Sequence, residues 1–334
     1  MLVRILSALA LVSLALAQSA QNPKPPIKVA VNEVIVPVTV TDDKGRFVSN
    51  LEAKDFKIYD QGREQRIEFF SRDRNQPVVV GFLVDLSNNT RTVWKYYQDA
   101  IIDLVLDLLP GDKKFSGFLI TYANEPELQV NTTSVPDEMV ERIHKVKPGG
   151  GSSLYDAIYM ACTKRQVIEG EPYDPRRVLV VIGDGHDNAS HKSLDEVLEI
   201  AQRNLVTIYA MSTVSWGLSR EGDDDLLRLC SETGGRVEYP LSNVYSDVDG
   251  YLSHPSDDGN YALTVGMGAY ATEVSSGIFH AIAAIAGEVT TQYILRYVPD
   301  TGSGGKQYRK INVVVPDLPL AKVRFRKGYY PYAP

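Results

Sequence analysis

Cysteine is scarce in this 334-residue chain: there are two, Cys162 and Cys230. Two thiols cannot form the multi-bridge framework that holds small secreted scaffolds together. Both fall in apolar, helical stretches, which leaves open one bridge between them or two buried thiols. Basic runs are also missing. Nothing longer than pairs such as Arg176-Arg177 occurs, and the formal net charge is -7. The chain therefore lacks the electrostatic footprint of a nucleic-acid binder and is poorly suited to an anionic membrane surface. Beyond the N-terminus no apolar run reaches membrane-spanning length. Enzyme signatures are absent as well: there is no His-Glu-x-x-His and no Gly-x-Ser-x-Gly, and Gly149-Gly150-Gly151 is not followed by the lysine of a phosphate-binding loop.

What is present is ordinary globular material, 44% hydrophobic and 23% charged, which argues against wholesale disorder. At the start, Arg4 precedes an apolar stretch from Ile5 to Ala17 that ends in Ala15-Leu16-Ala17. A single positive charge, a short apolar run and a small-x-small end are the pattern of a secretory signal, with cleavage after Ala17. The expectation is a secreted or periplasmic protein of the cell envelope, with no stable membrane insertion once the signal is removed. Residues 18–26, which include Pro23-Lys24-Pro25-Pro26, read as an extended linker.

Two grammars follow. Residues 27–75 read as short strands separated by polar turns, with the alternation Val34-Ile35-Val36, Val38 and Val40, a turn at Asp42 to Gly45, a resumed strand at Phe47-Val48, a strand at Phe56 to Tyr59 and a return from Gln65 to Ser71. From residue 76 continuous apolar runs alternate with amphipathic helices. Val78 to Val84 and Val178 to Ile182 are strands buried on both faces. Helices are expected at Trp94 to Leu108, Pro136 to Lys145, Leu154 to Ile168, Ser193 to Arg203, Asp223 to Thr233 and Ser275 to Val289. This alternation specifies a doubly wound, mostly parallel α/β sheet spanning 76–289, with a long surface excursion at 239–272. After 289 the β grammar returns. Each terminal segment alone has too few strands to bury a core, so 27–75 and 290–334 are expected to form together one small antiparallel, sandwich-like β domain into which the α/β domain is inserted.

Sites in such sheets form where parallel strands end and loops begin. Three loops there carry oxygen ligands: Asp85-Leu86-Ser87-Asn88-Asn89 after the first central strand, Ser152-Ser153 at the end of the Gly-rich loop, and Asp184-Gly185-His186-Asp187-Asn188 after the later buried strand. Each loop alone is ordinary, since Asp and Ser are common at turns and helix caps. Together they offer two carboxylates, hydroxyls and an amide carbonyl, a set suited to a hard divalent cation such as Mg²⁺ and unsuited to zinc. His186 lies near the site, but as a lone loop histidine it reads as solvated or structural.

On these residues the chain resembles von Willebrand factor A domains. Asp85-x-Ser87-x-Asn89, Ser152 and Asp184 lie where the metal-ion-dependent adhesion motif of that family falls. Gly149-Gly150-Gly151-Ser152-Ser153-Leu154-Tyr155-Asp156 and Ile182-Gly183-Asp184-Gly185-His186-Asp187-Asn188 match along with them. The flanks, including Asp55-Phe56, Gln292-Tyr293 and Arg326-Lys327-Gly328-Tyr329-Tyr330, look like exported VWFA-related proteins of Acidobacteria, and the likeness runs over nearly the whole mature chain. The resemblance implies a Rossmann-like A domain with Mg²⁺, or Mn²⁺ or Ca²⁺, at Asp85, Ser87, Asn89, Ser152 and Asp184. It also implies a non-enzymatic adhesion or protein-binding role in which the open coordination position takes a carboxylate from a protein partner, and a final helix that shifts when ligand engages. Asn89 stands where the family prefers Ser, and Ser152 where it prefers Thr; Ser153 is an alternative to Ser152 one residue on. The other readings are an interaction scaffold with a vestigial metal site and a metal-assisted hydrolase.

Overall fold

The computed structural model describes residues 33–72, 77–91, 94–163, 175–213, 222–240, 267–299 and 307–331. The expected signal at 1–17, the linker at 18–26, the first residues of the 27–75 segment and most of the 239–272 excursion lie outside them.

A six-stranded sheet occupies the middle of the chain, in the order β10-β9-β8-β5-β6-β7. Its members are β5 (Val78–Asp85), β6 (Phe115–Tyr122), β7 (Pro126–Thr133), β8 (Arg176–Gly183), β9 (Thr207–Ser212) and β10 (Val237–Glu238). All neighbours are parallel except β6 and β7. β5 is buried at every position, as a central strand covered on both faces must be. Its side chains alternate between two cores. Val78, Val80, Phe82 and Val84 pack with α1 (Trp94–Leu108), α2 (Asp137–Lys145) and α6 (Met267–Thr291). Val79 and Leu83 pack with α3 (Leu154–Thr163), α4 (Leu194–Arg203) and α5 (Asp223–Thr233). Cys162 and Cys230 sit buried in this second core without a disulfide between them.

The chain order fixes where a site can form. From β5 the chain runs outward through β6 and β7, then returns to the other side of β5 as β8. The reversal opens a crevice at the carboxyl ends of β5 and β8, where Asp85 closes one strand and Asp184 follows the other.

The terminal segments pair with one another. β1 (Val34–Thr41) runs antiparallel between β11 (Tyr293–Tyr297) and β13 (Lys322–Phe325), and β4 (Phe69–Ser71) flanks β11. A second sheet has the order β14-β12-β2-β3, from β14 (Gly328–Tyr329), β12 (Arg309–Val314), β2 (Lys57–Asp60) and β3 (Arg63–Gln65). Val36, Val38, Ile58, Leu295, Tyr297 and Val313 fill the space between the two sheets. Buried Asp60, from the N-terminal segment, accepts hydrogen bonds from Tyr297 (3.0 Å) and Tyr329 (2.9 Å) and pairs with Arg309 (2.9 Å), all from the C-terminal segment.

This β layer meets the α/β sheet at the amino ends of its parallel strands. Arg326 donates to the Leu205 carbonyl ahead of β9 (2.9 Å), and Lys327 N–H donates to the Glu232 carbonyl at the end of α5 (3.1 Å). Gln292 Nε2 donates to Thr39 Oγ1 of β1 (3.1 Å) and to the Tyr209 hydroxyl of β9 (2.9 Å). The candidate site therefore faces away from this junction.

Three expectations need correction. The return strand from Gln65 to Ser71 is broken, because β3 pairs with β2 in one sheet and β4 with β11 in the other. The backbone crosses between sheets at 66–68, a change that alternating hydrophobicity along one segment does not reveal. Phe47 makes only an isolated bridge to Thr41. The last helix starts at Met267 and ends at Thr291, so the excursion stops short of 272. Extending a helix from an established nucleus adds one hydrogen bond per residue fixed, and the Gly and Tyr residues ahead of Ser275 are absorbed into it.

Candidate metal centre at the sheet switch point

Three loops meet at the crevice, and backbone hydrogen bonds tie each to the next. Asn88 N–H donates to the Gly150 carbonyl (3.1 Å) and Gly149 N–H to the Leu86 carbonyl (2.6 Å), joining the first loop to the second. The Ser152 carbonyl accepts from Asn188 N–H (3.0 Å) and Ala189 N–H (2.9 Å), while Ser152 N–H donates to Asn188 Oδ1 (2.9 Å), joining the second to the third. Asn89 Nδ2 donates to Asp184 Oδ2 (2.9 Å), closing the ring from third to first.

The third loop is also fastened to α3. Asp187 accepts from Tyr155 N–H (2.9 Å) and the Ser190 hydroxyl (2.7 Å), and Asp156 accepts from His191 N–H and Lys192 N–H (both 3.0 Å). Carboxylates facing the exposed N–H groups of a helix start are favoured both as hydrogen-bond acceptors and by the helix dipole. Gly185, at φ +80°, lets the loop turn sharply against Gly222.

Asp85 is 1% exposed. Its Oδ1 accepts Ser87 N–H at 2.6 Å, and its Oδ2 has no partner. The hydroxyl oxygens of Ser87, Ser152 and Ser153 are likewise buried and unpartnered. An unpaired buried polar group costs on the order of 1–3 kcal/mol, so such groups normally have partners. Burial, reinforced by the nearby Asp184 carboxylate, pushes the Asp85 carboxyl up to about 7 against the opposing pull of Ser87 N–H. The same burial, with Asp85, Asp184 and Asp187 nearby, pushes the Tyr122 phenol well above its usual range.

Asp85, Ser87 and Ser152 thus turn unsatisfied oxygens inward, and Asp184 sits at the rim, half-buried. A hard cation would satisfy such oxygens and offset the carboxylate charge, so the donor set fits a divalent ion. Asn89 is placed differently: it is exposed, and its amide nitrogen is spent on Asp184. His186 reaches the site through its backbone, donating N–H to Asp184 Oδ1 at 3.0 Å. Among the described residues no three His, Cys, Asp or Glu side chains gather into a metal-binding group; the hydroxyls are what complete the set.

Sequence reasoning missed two residues here. Asn124 Oδ1 accepts Gly151 N–H at 2.7 Å and so holds the Gly-rich loop in place. It lies just past the carboxyl end of β6, and a polar residue at that edge of the sheet was the available signal. Tyr122, the last residue of β6, is buried with an unpartnered hydroxyl; its aromatic ring reads as core in any sequence.

The von Willebrand factor type A domain profile matches residues 80–246, half of the chain. No curated protein sequence matches. Among solved structures, the chain is similar to the conserved hypothetical protein BatB from Bacteroides thetaiotaomicron, at 14% identity over 58% of this chain and 99% of that one, with a TM-score of 0.40. It is similar to the SpRpn10 VWA domain at 13% identity, covering 48% and 86%, with a TM-score of 0.38. A third is proximal thread matrix protein 1 from the mussel byssus with a zinc-occupied MIDAS motif, at 17% identity, covering 51% and 43%, with a TM-score of 0.40; the chain spans less than half of that protein. The profile match, lying over the doubly wound sheet and its switch-point loops, places this chain in the von Willebrand factor type A domain family.

Proposed function

We propose that this protein is an exported, metal-dependent protein-binding module. Asp85, Ser87, Ser152 and Asp184 hold one Mg²⁺, with Mn²⁺ or Ca²⁺ as substitutes, while Asn89, expected among the ligands, stands beside them and binds Asp184. One observation carries the reading: Asp85 Oδ2, Ser87 Oγ and Ser152 Oγ are buried together at the switch point with no hydrogen-bond partner. The ion supplies a positive centre for a carboxylate offered by a protein partner. The chain's own residues fix the loops, neutralise charge and keep one side of the site open. Among the described residues, His186 is tied to the site by its backbone N–H, which favours a binding role over hydrolysis. Export rests on the Arg4 to Ala17 pattern; among the described residues no helix is long and apolar enough to cross a membrane.

Calorimetry tests the metal. The chain should bind Mg²⁺ or Mn²⁺ about one to one, and Asp85→Ala combined with Asp184→Ala should abolish binding. Ser152→Ala, a milder change, should weaken it. Undiminished binding in a folded double variant would sink the assignment. A pull-down from envelope extract with and without EDTA then asks whether partner capture needs the ion. A second reading, a scaffold whose metal site is vestigial, is favoured by the Asn89–Asp184 hydrogen bond. It predicts no metal heat at all and a partner that EDTA does not release.

A further inference from the structure

Tyr122 carries a hydroxyl that packing does not explain. The residue closes β6 directly beside Asp85, in register across the parallel pair, and its carbonyl accepts Leu86 N–H at 2.8 Å. Its ring belongs to the core under α3 and α4. The chain beyond Asp85 on the other side is Gly183, the last residue of β8. A Cβ added to Gly183 would stand 2.5 Å from the Tyr122 hydroxyl, 2.9 Å from Asp85 Cβ and 3.1 Å from Asp85 Oδ2. The tyrosine therefore reaches across the Asp85 side chain into space that exists because position 183 has none.

Two unpartnered oxygens face that space: the Tyr122 phenol, which can donate, and Asp85 Oδ2, which can only accept while ionised. Both are buried. A phenylalanine would fill the same volume without the cost of an orphaned hydroxyl. The hydroxyl is thus destabilising unless another state of the site uses it.

We propose that Tyr122 is a positioning residue of the metal centre: its hydroxyl donates toward Asp85 Oδ2 across the space left by Gly183, and holds that carboxylate's orientation when a divalent cation is bound. The inference rests on the metal reading above. It assigns Tyr122 no direct contact with the ion. A hydrogen-bonded outer partner of this kind typically contributes about 10-fold or more to metal affinity.

The test is calorimetric titration of Mn²⁺ into the full chain and into Tyr122→Phe, with thermal melts of both in EDTA. The expected result has opposite signs. The Kd for Mn²⁺ rises about 10-fold in Tyr122→Phe, while the melting temperature of the metal-free variant matches or exceeds that of the parent chain. Mn²⁺ should also produce a tyrosine difference-absorption signal in the parent that the variant loses. Gly183→Ala, which fills the space, should weaken Mn²⁺ binding in the same direction. Unchanged affinity in a folded Tyr122→Phe overturns the positioning role while leaving the metal site standing. A parent chain that takes up no Mn²⁺ overturns both.

Discussion

Asn89 donates its amide N–H to the Asp184 carboxylate at 2.9 Å, a contact that occupies one oxygen of the candidate site. An N–H partner partly neutralises the Asp184 carboxylate and competes with a cation for it. A serine at the same position would release Asp184 and offer a hydroxyl oxygen instead, one more hard ligand. Asn89→Ser should therefore tighten Mg²⁺ binding, by about tenfold for a gain of roughly 1.4 kcal/mol. Titration calorimetry on both forms reads this directly. Weaker binding in the serine variant would mean that the asparagine is itself a ligand.

Asp60 tests whether the two ends of the chain fold as one unit. It is fully buried, and Tyr297, Arg309 and Tyr329, its partners among the described residues, come from the C-terminal segment. Removing one member of a buried charged pair leaves the other uncompensated, at a typical cost of about 3–5 kcal/mol. Asp60→Ala should lower the urea midpoint accordingly. Arg309→Met alone should cost a similar amount, and the double variant much less than the sum. Additive losses would show that the two segments are not energetically coupled through this cluster.

The fold class was legible because buried parallel strands write continuous apolar runs, and Val78 to Val84 and Val178 to Ile182 are such runs. The loops after them were legible because sites in doubly wound sheets form at strand ends. What was hidden depends on contacts between distant residues. The sheet change between Gln65 and Phe69 is decided by whether β2 or β11 lies alongside. The turn of the Asn89 amide toward Asp184 is decided 95 positions away. Tyr122 is apolar in its ring and polar at one atom, and hydrophobic patterning counts only the ring.

Gly185 holds the third loop in a shape other residues resist. At φ +80° an L side chain costs roughly 1–2 kcal/mol, and a Cβ there would also stand 2.6 Å from the Leu226 side chain and press on the Gly222 backbone. Gly185→Ala should lower the melting temperature and, by shifting Asp184, weaken metal binding as well. A variant that melts as the parent does would show that the loop can relax at no cost.

Glu288 fixes the end of the last helix to both neighbouring sheets. It is 1% exposed. It pairs with Arg236, which leads into β10 of the α/β sheet, at 3.1 Å, and with Arg324 of β13 in the β layer. One residue on, the Val289 carbonyl accepts from buried Arg176, the first residue of β8. A sliding final helix would have to break this cluster, so the cluster opposes movement of α6 along its axis. Glu288→Ala removes the carboxylate between two guanidinium groups, although Arg236 keeps its ion pair with Glu238. Both arginines are about a quarter exposed, so water recovers part of their solvation and the loss should fall near the low end of the range for broken buried pairs, about 3 kcal/mol. Glu288→Gln keeps the shape and some hydrogen bonding and should cost less. Denaturant unfolding of the two variants gives the order, and amide exchange at 286–291 gives the location: faster exchange there in Glu288→Ala, with β5 unaffected, is the expected pattern. Equal protection of those amides in parent and variant would assign the anchoring of α6 to its apolar face alone.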